Sequence, residues 1–218
     1  MIPPSVIQTR VAVLISGRGS NLGALLDAAE TPGYPARIAL VLSNRLDAAG
    51  LALAAGRGVA AHAIDHRPFA RDRAAHEAAV HAALLEHDIG LVCLAGYMRL
   101  LTPFLVGAWA QRMLNVHPSL LPAFPGLDTH ARALAGGVKL HGCTVHLVTD
   151  QMDAGPILAQ AAVPVLPSDT EASLAARVLI QEHRIYPEAL RLHASGRPGV
   201  YDLAASLASP LPALAIAP

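Results

Sequence analysis

The chain has 218 residues with 16 basic and 16 acidic side chains, so its formal net charge is zero at pH 7. Balanced charge argues against a protein that binds nucleic acid or membrane surfaces through a basic patch. Apolar residues make up 53% of the sequence, but prolines and charged side chains interrupt every apolar stretch before the ~20 residues that a membrane-spanning helix needs.

The first half of the chain alternates short apolar runs, which predict buried strands, with longer patterns of helical periodicity. The predicted strands are Arg10–Ser16, Arg37–Ser43, Val59–Ile64, Leu91–Leu94 and Leu114–His117. The predicted helices are Asn21–Ala29, Ala48–Ala55 and Arg71–Glu86. This alternation predicts an α/β domain in which helices cover both faces of a mostly parallel, twisted sheet.

The pattern changes after His117, where closely spaced prolines indicate an ordered loop, with Leu121–Pro122 as a candidate cis peptide. A short helix is predicted at Thr129–Ala135. Two late strands, Thr144–Val148 and Ile157–Val163, would form a hairpin-like pair, introduce an antiparallel strand and bring the total to about seven. Thr170 then caps a long helix that extends to about Leu190.

A single domain accounts for this pattern. We expect it to span residues 10–197, with residues 1–9 as an N-terminal extension and residues 198–218 as a C-terminal tail. The extension lacks the basic segment and the long apolar run of a signal peptide. Two cysteines cannot form a disulfide framework, so we expect a reducing, cytoplasmic location.

Ligands of open α/β sheets bind beyond the carboxyl ends of the strands. That rule selects four positions, which are the segments after Ser16, after Leu94 and after His117, and the Thr149–Gly155 loop between the two late strands.

A glycine-rich loop, Ser16–Leu22, follows the first strand and opens a helix. Glycines let the backbone approach a ligand, and the N–H groups at a helix start attract anions. A dinucleotide fingerprint would need its third glycine at Leu22, whereas it falls at Gly23, and the Gly-Lys-Ser/Thr of a P-loop is absent. A monophosphate site fits best. The alternatives are a dinucleotide site or a plain turn in which Ser20 or Asn21 caps the helix.

An amide and an imidazole share one face of the fifth predicted strand. Side chains alternate along a strand, so Asn115 and His117 point the same way, and Pro118 ends the strand at its carboxyl edge. An amide N–H can stabilise a carbonyl oxygen that becomes negative, and an imidazolium can do the same or transfer protons. If Asp153 lies close to His117, it favours the charged imidazole. The alternative is ordinary strand-end and turn chemistry at these positions.

Seven sequence blocks extend across the chain from Val11 to about Pro187. They are Ile15–Leu22, Leu94–Leu101, Asn115–Pro122, Phe124–Leu127, His141–His146, Met152–Pro156 and Gln181–Pro187. Together they resemble the folate-dependent phosphoribosylglycinamide formyltransferases. The Asn-x-His-Pro-Ser-Leu-Leu-Pro block is specific for formyl-folate enzymes as a group, and the Gly-Ser-Asn-Leu loop narrows the resemblance to this family.

The resemblance implies a Rossmann-like formyltransferase fold and a direct formyl transfer from 10-formyltetrahydrofolate, as co-substrate, to the amine of glycinamide ribonucleotide in purine biosynthesis. With the cysteine content and the balanced charge, we expect a cytoplasmic enzyme, a monomer or homodimer, that has these two small-molecule substrates and no metal, nucleic-acid or membrane partner.

The resemblance also assigns roles to individual residues. The catalytic residues would be Asn115, His117 and Asp153, the phosphate would contact Gly19, Ser20 and Asn21, and the glycinamide end would contact Glu182. The folate would contact Arg73, Met98, Arg99, Leu100, Leu101, Asn115 and Asp153. Arg71 is an alternative to Arg73 for the glutamate carboxylate of the folate.

Three other functions stay open. A hydrolase that releases formate from the folate would have no use for the phosphate loop. A zinc protein would use His141, Cys143 and His146, although strand alternation places Cys143 and His146 on opposite faces. A nucleotide-binding module without catalysis would leave the implied catalytic residues unexplained.

Overall fold

The computed structural model describes residues 8–196, which form a seven-stranded sheet flanked by six α-helices. The strands are β1 Thr9–Ile15, β2 Ala36–Ser43, β3 Ala60–Ala63, β4 Leu91–Leu94, β5 Met113–His117, β6 Leu140–Leu147 and β7 Ile157–Pro164. The helices are α1 Ser20–Ala29, α2 Ala49–Gly56, α3 Arg73–Glu86, α4 Pro103–Ala108, α5 Thr129–Ala135 and α6 Glu171–Ala194. None of the helices in this range is long and apolar enough to cross a membrane.

The sheet has the strand order β3-β2-β1-β4-β5-β6-β7. Strands β1 to β5 are parallel, β6 is antiparallel to β5, and β7 is antiparallel to β6. Strand β6 therefore runs against the other strands, which confirms the predicted late antiparallel strand. The chain order reverses between β1 and β4, so a crevice opens at their carboxyl ends, where ligands of such sheets bind.

Helices cover both faces of the sheet, as predicted. On β1, Val11, Val13 and Ile15 face a core that includes residues of α1 and α6, whereas Ala12 and Leu14 face a second core that includes residues of α3 and α4. All five side chains are fully buried. The apolar run of β1 is continuous because both of its faces are covered.

Helix α6 is attached to the centre of the sheet through Tyr186. The Tyr186 hydroxyl is buried and lies 3.0 Å and 3.1 Å from the carbonyl oxygens of Leu94 and Leu114, which share its single proton. These carbonyls belong to β4 and β5, which flank the crevice. The contact therefore fixes the distance between α6 and the strands that carry the site.

Three predicted boundaries differ from the structure by two residues or more, and one helix was not predicted. Strand β6 begins at Leu140 instead of Thr144, because pairing with β7 extends through Gly142, a residue that the sequence pattern disfavours in strands. Helix α4 was not predicted, because it has only six residues. Helix α3 begins at Arg73 instead of Arg71, because the Asp72 side chain accepts a hydrogen bond from the Ala75 N–H and caps it.

Helix α6 extends past the predicted end near Leu190 to Ala194. Pro187 removes one hydrogen bond within the helix, but burial of Ala189 and Leu190 beyond it offsets that loss. Its start agrees with the prediction, since Thr170 caps it by accepting from the Ser173 N–H at 3.2 Å. The predicted N-terminal extension and C-terminal tail fall largely outside the described residues, and their limits stay predictions.

Two histidines, the buried His141 and the half-buried His130, lie where β6 meets α5. His141 Nε2 lies 3.2 Å from His130 Nδ1, and the Phe124 ring packs edge-on against His141. Burial lowers the pKa of His141 to about 4, and the neighbouring charge of His130 acts in the same direction. Burial also lowers the pKa of His130. Both rings are therefore neutral in the folded protein at pH 7.

Replacement of Gly142 by alanine tests the close packing of β6 and β7. A Cβ at this position would lie 2.0 Å from the carbonyl oxygen of Ala161 on β7, so the strands must separate. We expect Gly142→Ala to lower the free energy of unfolding by about 3 kcal/mol in urea denaturation. Gly107→Ala in α4, where no atom lies within 4 Å of the new Cβ, is the control and should be neutral or slightly stabilising. Equal losses in both variants would contradict this packing.

Acid should destabilise the protein through His141. The imidazole has an ordinary pKa of 6.5 and a folded-state pKa of about 4. The unfolded chain therefore binds a proton in this window that the folded chain excludes, and stability falls as the pH falls from 6.5 to 4. The loss from this residue should be on the order of 3 kcal/mol. Urea unfolding across this range should show a shallower pH dependence in His141→Gln. Identical dependence in the two proteins would rule out this role.

Candidate active site

The crevice at the carboxyl ends of β1 and β4 contains a cavity of about 450 Å³. The glycine-rich loop after β1 forms one wall, and the segment after β4 forms the opposite wall. The residues around the cavity are Ser16, Gly17, Arg18, Gly19, Ser20, Asn21, Asn44, Arg45, His66, Ala95, Gly96, Met98 and Arg99. Two of the four predicted ligand positions thus border one cavity.

The glycine-rich loop places the amino end of α1 at the cavity. Gly19 has a φ of +78°, in the left-handed region that glycine tolerates, and it precedes Ser20, the first residue of α1. The alternative in which Ser20 or Asn21 caps the helix is wrong, because Gly19 occupies the cap position and makes no side-chain cap. The first backbone N–H groups of an α-helix have no partner within the helix and attract an anion.

Asn21 and Glu182 form a buried polar pair beside this loop. The Asn21 amide nitrogen donates to Glu182 Oε2 at 2.6 Å, and each residue is 8% exposed. Burial raises the pKa of Glu182, while the hydrogen bond from Asn21 and the charge of His117 oppose that rise. Asn21 Oδ1 is buried without a partner in the described part of the chain. This pair therefore presents acceptors that suit the N–H groups of a ligand.

The strand β5 carries Asn115 and His117 toward the loop after β6, as the alternation of side chains predicts. His117 Nδ1 lies 3.5 Å from Asp153 Oδ2, and His117 Nε2 donates to the carbonyl oxygen of Phe124 at 3.0 Å. Both ring nitrogens face oxygens that only accept hydrogen bonds, so the geometry suits the imidazolium form. The three predicted catalytic residues lie together.

Two loops meet at the Asp153 carboxylate. Asp153 Oδ2 accepts a hydrogen bond from the Gly126 N–H at 2.8 Å, in the loop that follows β5. Asp153 itself has a φ of 55° in the loop between β6 and β7. A non-glycine residue in this region carries strain that surrounding contacts must offset. The carboxylate therefore holds the two loops together around His117.

A second histidine, His146, borders the site and was not predicted as a part of it. Its Nδ1 donates to the carbonyl oxygen of Leu147 at 2.9 Å, so Nε2 is left to accept from the Asn115 amide nitrogen at 3.2 Å. Burial lowers the pKa of His146, which keeps the ring neutral. The His146 ring thus orients the Asn115 amide. The pairing of β5 with β6 would have revealed this role of His146, since His146 pairs directly with Asn115.

The residues of the zinc alternative have other partners. His141 is hydrogen-bonded to His130, and His146 to Asn115. Cys143 is buried in the apolar core between them. Each of the three side chains therefore serves the packing of β6 or the orientation of Asn115.

The segment Met98–Leu101 borders the cavity at its start, through Met98. Met98 and Leu100 are 74% and 62% exposed. Arg99 lines the cavity, and Leu101 packs against the second core. The segment presents an apolar surface beside polar backbone groups, which fits a flat heterocycle.

Two side chains of α3 hold this segment in place through hydrogen bonds. Glu77, which was not predicted as a part of the site, accepts hydrogen bonds from the N–H and the hydroxyl of Thr102 at 2.8 Å and 2.5 Å. Arg73 Nη1 lies 3.5 Å from the carbonyl oxygen of Leu100. The structure thus brings Arg73 to the predicted folate segment. Both anchors lie on the first two turns of α3, where the spacing of four residues puts them on one face.

The chain is similar to known proteins over most of its length. Residues 9–190 match the model of the formyl transferase family. The phosphoribosylglycinamide formyltransferase of Escherichia coli is 44% identical over 197 residues, which cover 90% of this chain and 92% of that protein. The human trifunctional purine biosynthetic protein adenosine-3 is 48% identical over 189 residues, which cover 87% of this chain. The aligned region is 19% of that longer protein, so the chain matches about a fifth of its length.

A solved structure agrees with the fold. The phosphoribosylglycinamide formyltransferase from Brucella melitensis is 54% identical and superposes with a TM-score of 0.82, covering 87% of this chain and 97% of that one. The predicted fold class, a mostly parallel sheet with a late antiparallel strand, is confirmed. On the extent of these matches, the chain belongs to the formyl transferase family.

Proposed function

We propose that the chain is a phosphoribosylglycinamide formyltransferase, which transfers the formyl group of 10-formyltetrahydrofolate to the amine of glycinamide ribonucleotide in purine biosynthesis. The observation that carries the proposal is the convergence of Asn115, His117 and Asp153 at the carboxyl end of β5, on the same edge of the sheet as the crevice that the glycine-rich loop borders. We assign the enzyme to the cytoplasm, as a monomer or homodimer with these two small-molecule substrates.

The ribonucleotide would bind along the first wall of the crevice. Its phosphate would accept hydrogen bonds from the N–H groups at Gly19, Ser20 and Asn21, where the dipole of α1 favours a negative charge. Its glycinamide end would reach the buried pair of Glu182 and Asn21, whose free acceptor atoms require N–H donors. This binding mode satisfies Asn21 Oδ1, which has no partner in the described residues.

The folate would bind along the opposite wall. Met98 and Leu100 offer exposed apolar surface to the pteridine ring, and the backbone of Met98–Leu101 offers hydrogen bonds to its edge. Arg73 and Arg99 supply positive charge for the glutamate carboxylates of the folate tail. Arg73 fits this role better than Arg71, because its guanidinium contacts the carbonyl oxygen of Leu100.

The chemistry requires charge stabilisation on the formyl oxygen. The Asn115 amide has a second N–H beyond the one bound to His146, and it would donate to that oxygen as the amine attacks. The imidazolium of His117 would stabilise the same negative charge, and the Asp153 carboxylate would stabilise the imidazolium. Binding both reactants in one crevice removes much of the entropic barrier, so no covalent intermediate on the enzyme is needed.

The amine must also lose a proton during transfer. As the bond between the formyl carbon and N10 of the folate breaks, N10 must gain a proton to leave as tetrahydrofolate. Asp153 Oδ1 lies 3.8 Å from His146 Nε2, which is too long for a hydrogen bond. This oxygen would be free to bind a water molecule that carries the proton from the amine to N10 of the folate. The two oxygens of Asp153 would then have separate tasks, one at the His117 ring and one at the water.

A hydrolase that releases formate from the folate is the second candidate. It needs the residues around His117 but has no use for the anion-binding end of α1 or for the buried Asn21–Glu182 pair. A coupled absorbance assay with 10-formyltetrahydrofolate, with and without glycinamide ribonucleotide, separates the two. We expect deformylation only in the presence of the ribonucleotide, with formation of its formylated product. Turnover without it would establish the hydrolase, and an absence of turnover in both would overturn the proposed function.

Loss of the Asn115 amide should affect the chemical step. We expect Asn115→Ala to lower kcat on the order of 10²–10³-fold, because it removes one donor to the developing oxyanion, with a small change in KM. His117→Ala should behave in the same way. His62→Ala, at an exposed position on the edge strand β3, is the control and should retain full kcat. A near wild-type kcat in Asn115→Ala would refute the assignment.

A further inference from the structure

The hydroxyl of Ser16 connects three strand ends at the floor of the crevice. Ser16 directly follows β1, and its Oγ accepts a hydrogen bond from the Met98 N–H at 2.8 Å. The same hydroxyl donates to Asn44 Oδ1 at 2.5 Å, in the segment after β2. Ser16 is 7% exposed and Asn44 is 4% exposed. One buried hydroxyl therefore uses its donor and its acceptor to join β1, β2 and the segment after β4.

The two sides of this connection belong to different walls of the cavity. Ser16 begins the glycine-rich loop that ends in Gly19, Ser20 and Asn21, whereas Met98 begins the exposed segment assigned to the folate. Asn44 is fixed in turn, since His66 Nδ1 donates to its carbonyl oxygen at 2.8 Å. A shift of the glycine-rich loop at Ser16 therefore moves the hydrogen-bond acceptor of Met98, and the reverse also holds.

We propose that Ser16 is a positioning residue that couples the binding of the two substrates, so that occupation of the glycine-rich loop improves binding at the Met98–Leu101 segment. The proposal rests on the proposed function for the identity of the two ligands. Coupling between two sites is reciprocal, so each ligand must improve the affinity of the other by the same factor. The hydroxyl is required because it is donor and acceptor at once, and alanine is neither.

Glu77, which also anchors the Met98–Leu101 segment, does not connect the two walls of the cavity. Glu77 holds Thr102 at the far end of the segment, but it lies on α3 and has no hydrogen bond to the glycine-rich loop among those of the described residues. Among these anchors, Ser16 is the one that spans both walls. The Ser16–Met98 hydrogen bond therefore links the two walls, whereas the Glu77 contacts only support the segment.

The test measures the dissociation constant of glycinamide ribonucleotide by isothermal titration calorimetry, without and with saturating tetrahydrofolate. Tetrahydrofolate carries no formyl group, so both ligands bind without reaction. The ratio of the two constants is the coupling factor. We expect a factor of about five or more in the wild type, a factor near one in Ser16→Ala, and recovery in Ser16→Thr, which retains the hydroxyl. The affinity for each ligand alone should change by less than about threefold.

Ser43→Ala is the matched control. It removes another buried serine hydroxyl at the same edge of the sheet, one that accepts from the Arg45 N–H and not from Met98. It should keep the wild-type coupling factor. Asn44→Ala gives a second route if Ser16→Ala does not fold. It keeps the Ser16 hydroxyl but removes its acceptor, together with a 3.2 Å contact between the Asn44 amide and His66 Nδ1, and it should lower the factor.

The outcomes separate the coupling from the proposed function. If the wild type binds both ligands without coupling, or if Ser16→Ala and Asn44→Ala keep the wild-type factor, the coupling proposal is wrong and the proposed function stands. Equal losses in Ser43→Ala and Ser16→Ala would also overturn the coupling proposal, because the effect would not depend on Met98. If the wild type binds neither ligand, the proposed function fails and the coupling proposal fails with it.

Discussion

The imidazole of His117 lies between two oxygens that only accept hydrogen bonds, and the site depends on this arrangement. One oxygen is the Phe124 carbonyl, from the loop that follows β5, and the other belongs to Asp153, from the loop that follows β6. An imidazolium satisfies both, whereas a neutral ring satisfies one. Because Asp153 also accepts from the Gly126 N–H, the two residues that contact each other at this point also hold the two loops in place.

Strand β6 supports this arrangement because it runs against its neighbours. Its Thr144 pairs with His117, and the Thr144 hydroxyl donates to the Ser119 carbonyl and accepts from the Leu121 N–H. These contacts fix the start of the loop that delivers the Phe124 carbonyl. Two residues along, His146 orients Asn115. Leu121–Pro122 is cis, as hypothesised from the sequence. Side chains of β6 thus pair with polar groups of Asn115, Ser119 and Leu121.

The sequence predicted those parts of the site in which the residues suited to the chemistry also follow a regular structural pattern. Alternation on β5 placed Asn115 and His117 together, and the carboxyl-end rule placed the glycine-rich loop at the crevice. The meeting of Asp153 with His117 followed only from the family resemblance, since no local pattern fixes how a loop folds back. Glu77 and Ser16 were missed as anchors because their partners are backbone N–H groups of distant segments. Such contacts depend on tertiary packing, which periodicity does not contain.

The Asn21–Glu182 pair joins the first helix to the last, 161 positions apart. A chain emerging from the ribosome carries the glycine-rich loop early, but the buried carboxylate arrives only when α6 docks against α1 and the sheet. Under the proposed function, the ribonucleotide binds the finished fold and not its precursors. Its binding energy is then added to the stability of the complete protein by mass action. The substrate would protect the enzyme that uses it, and partly folded chains would gain nothing from its presence.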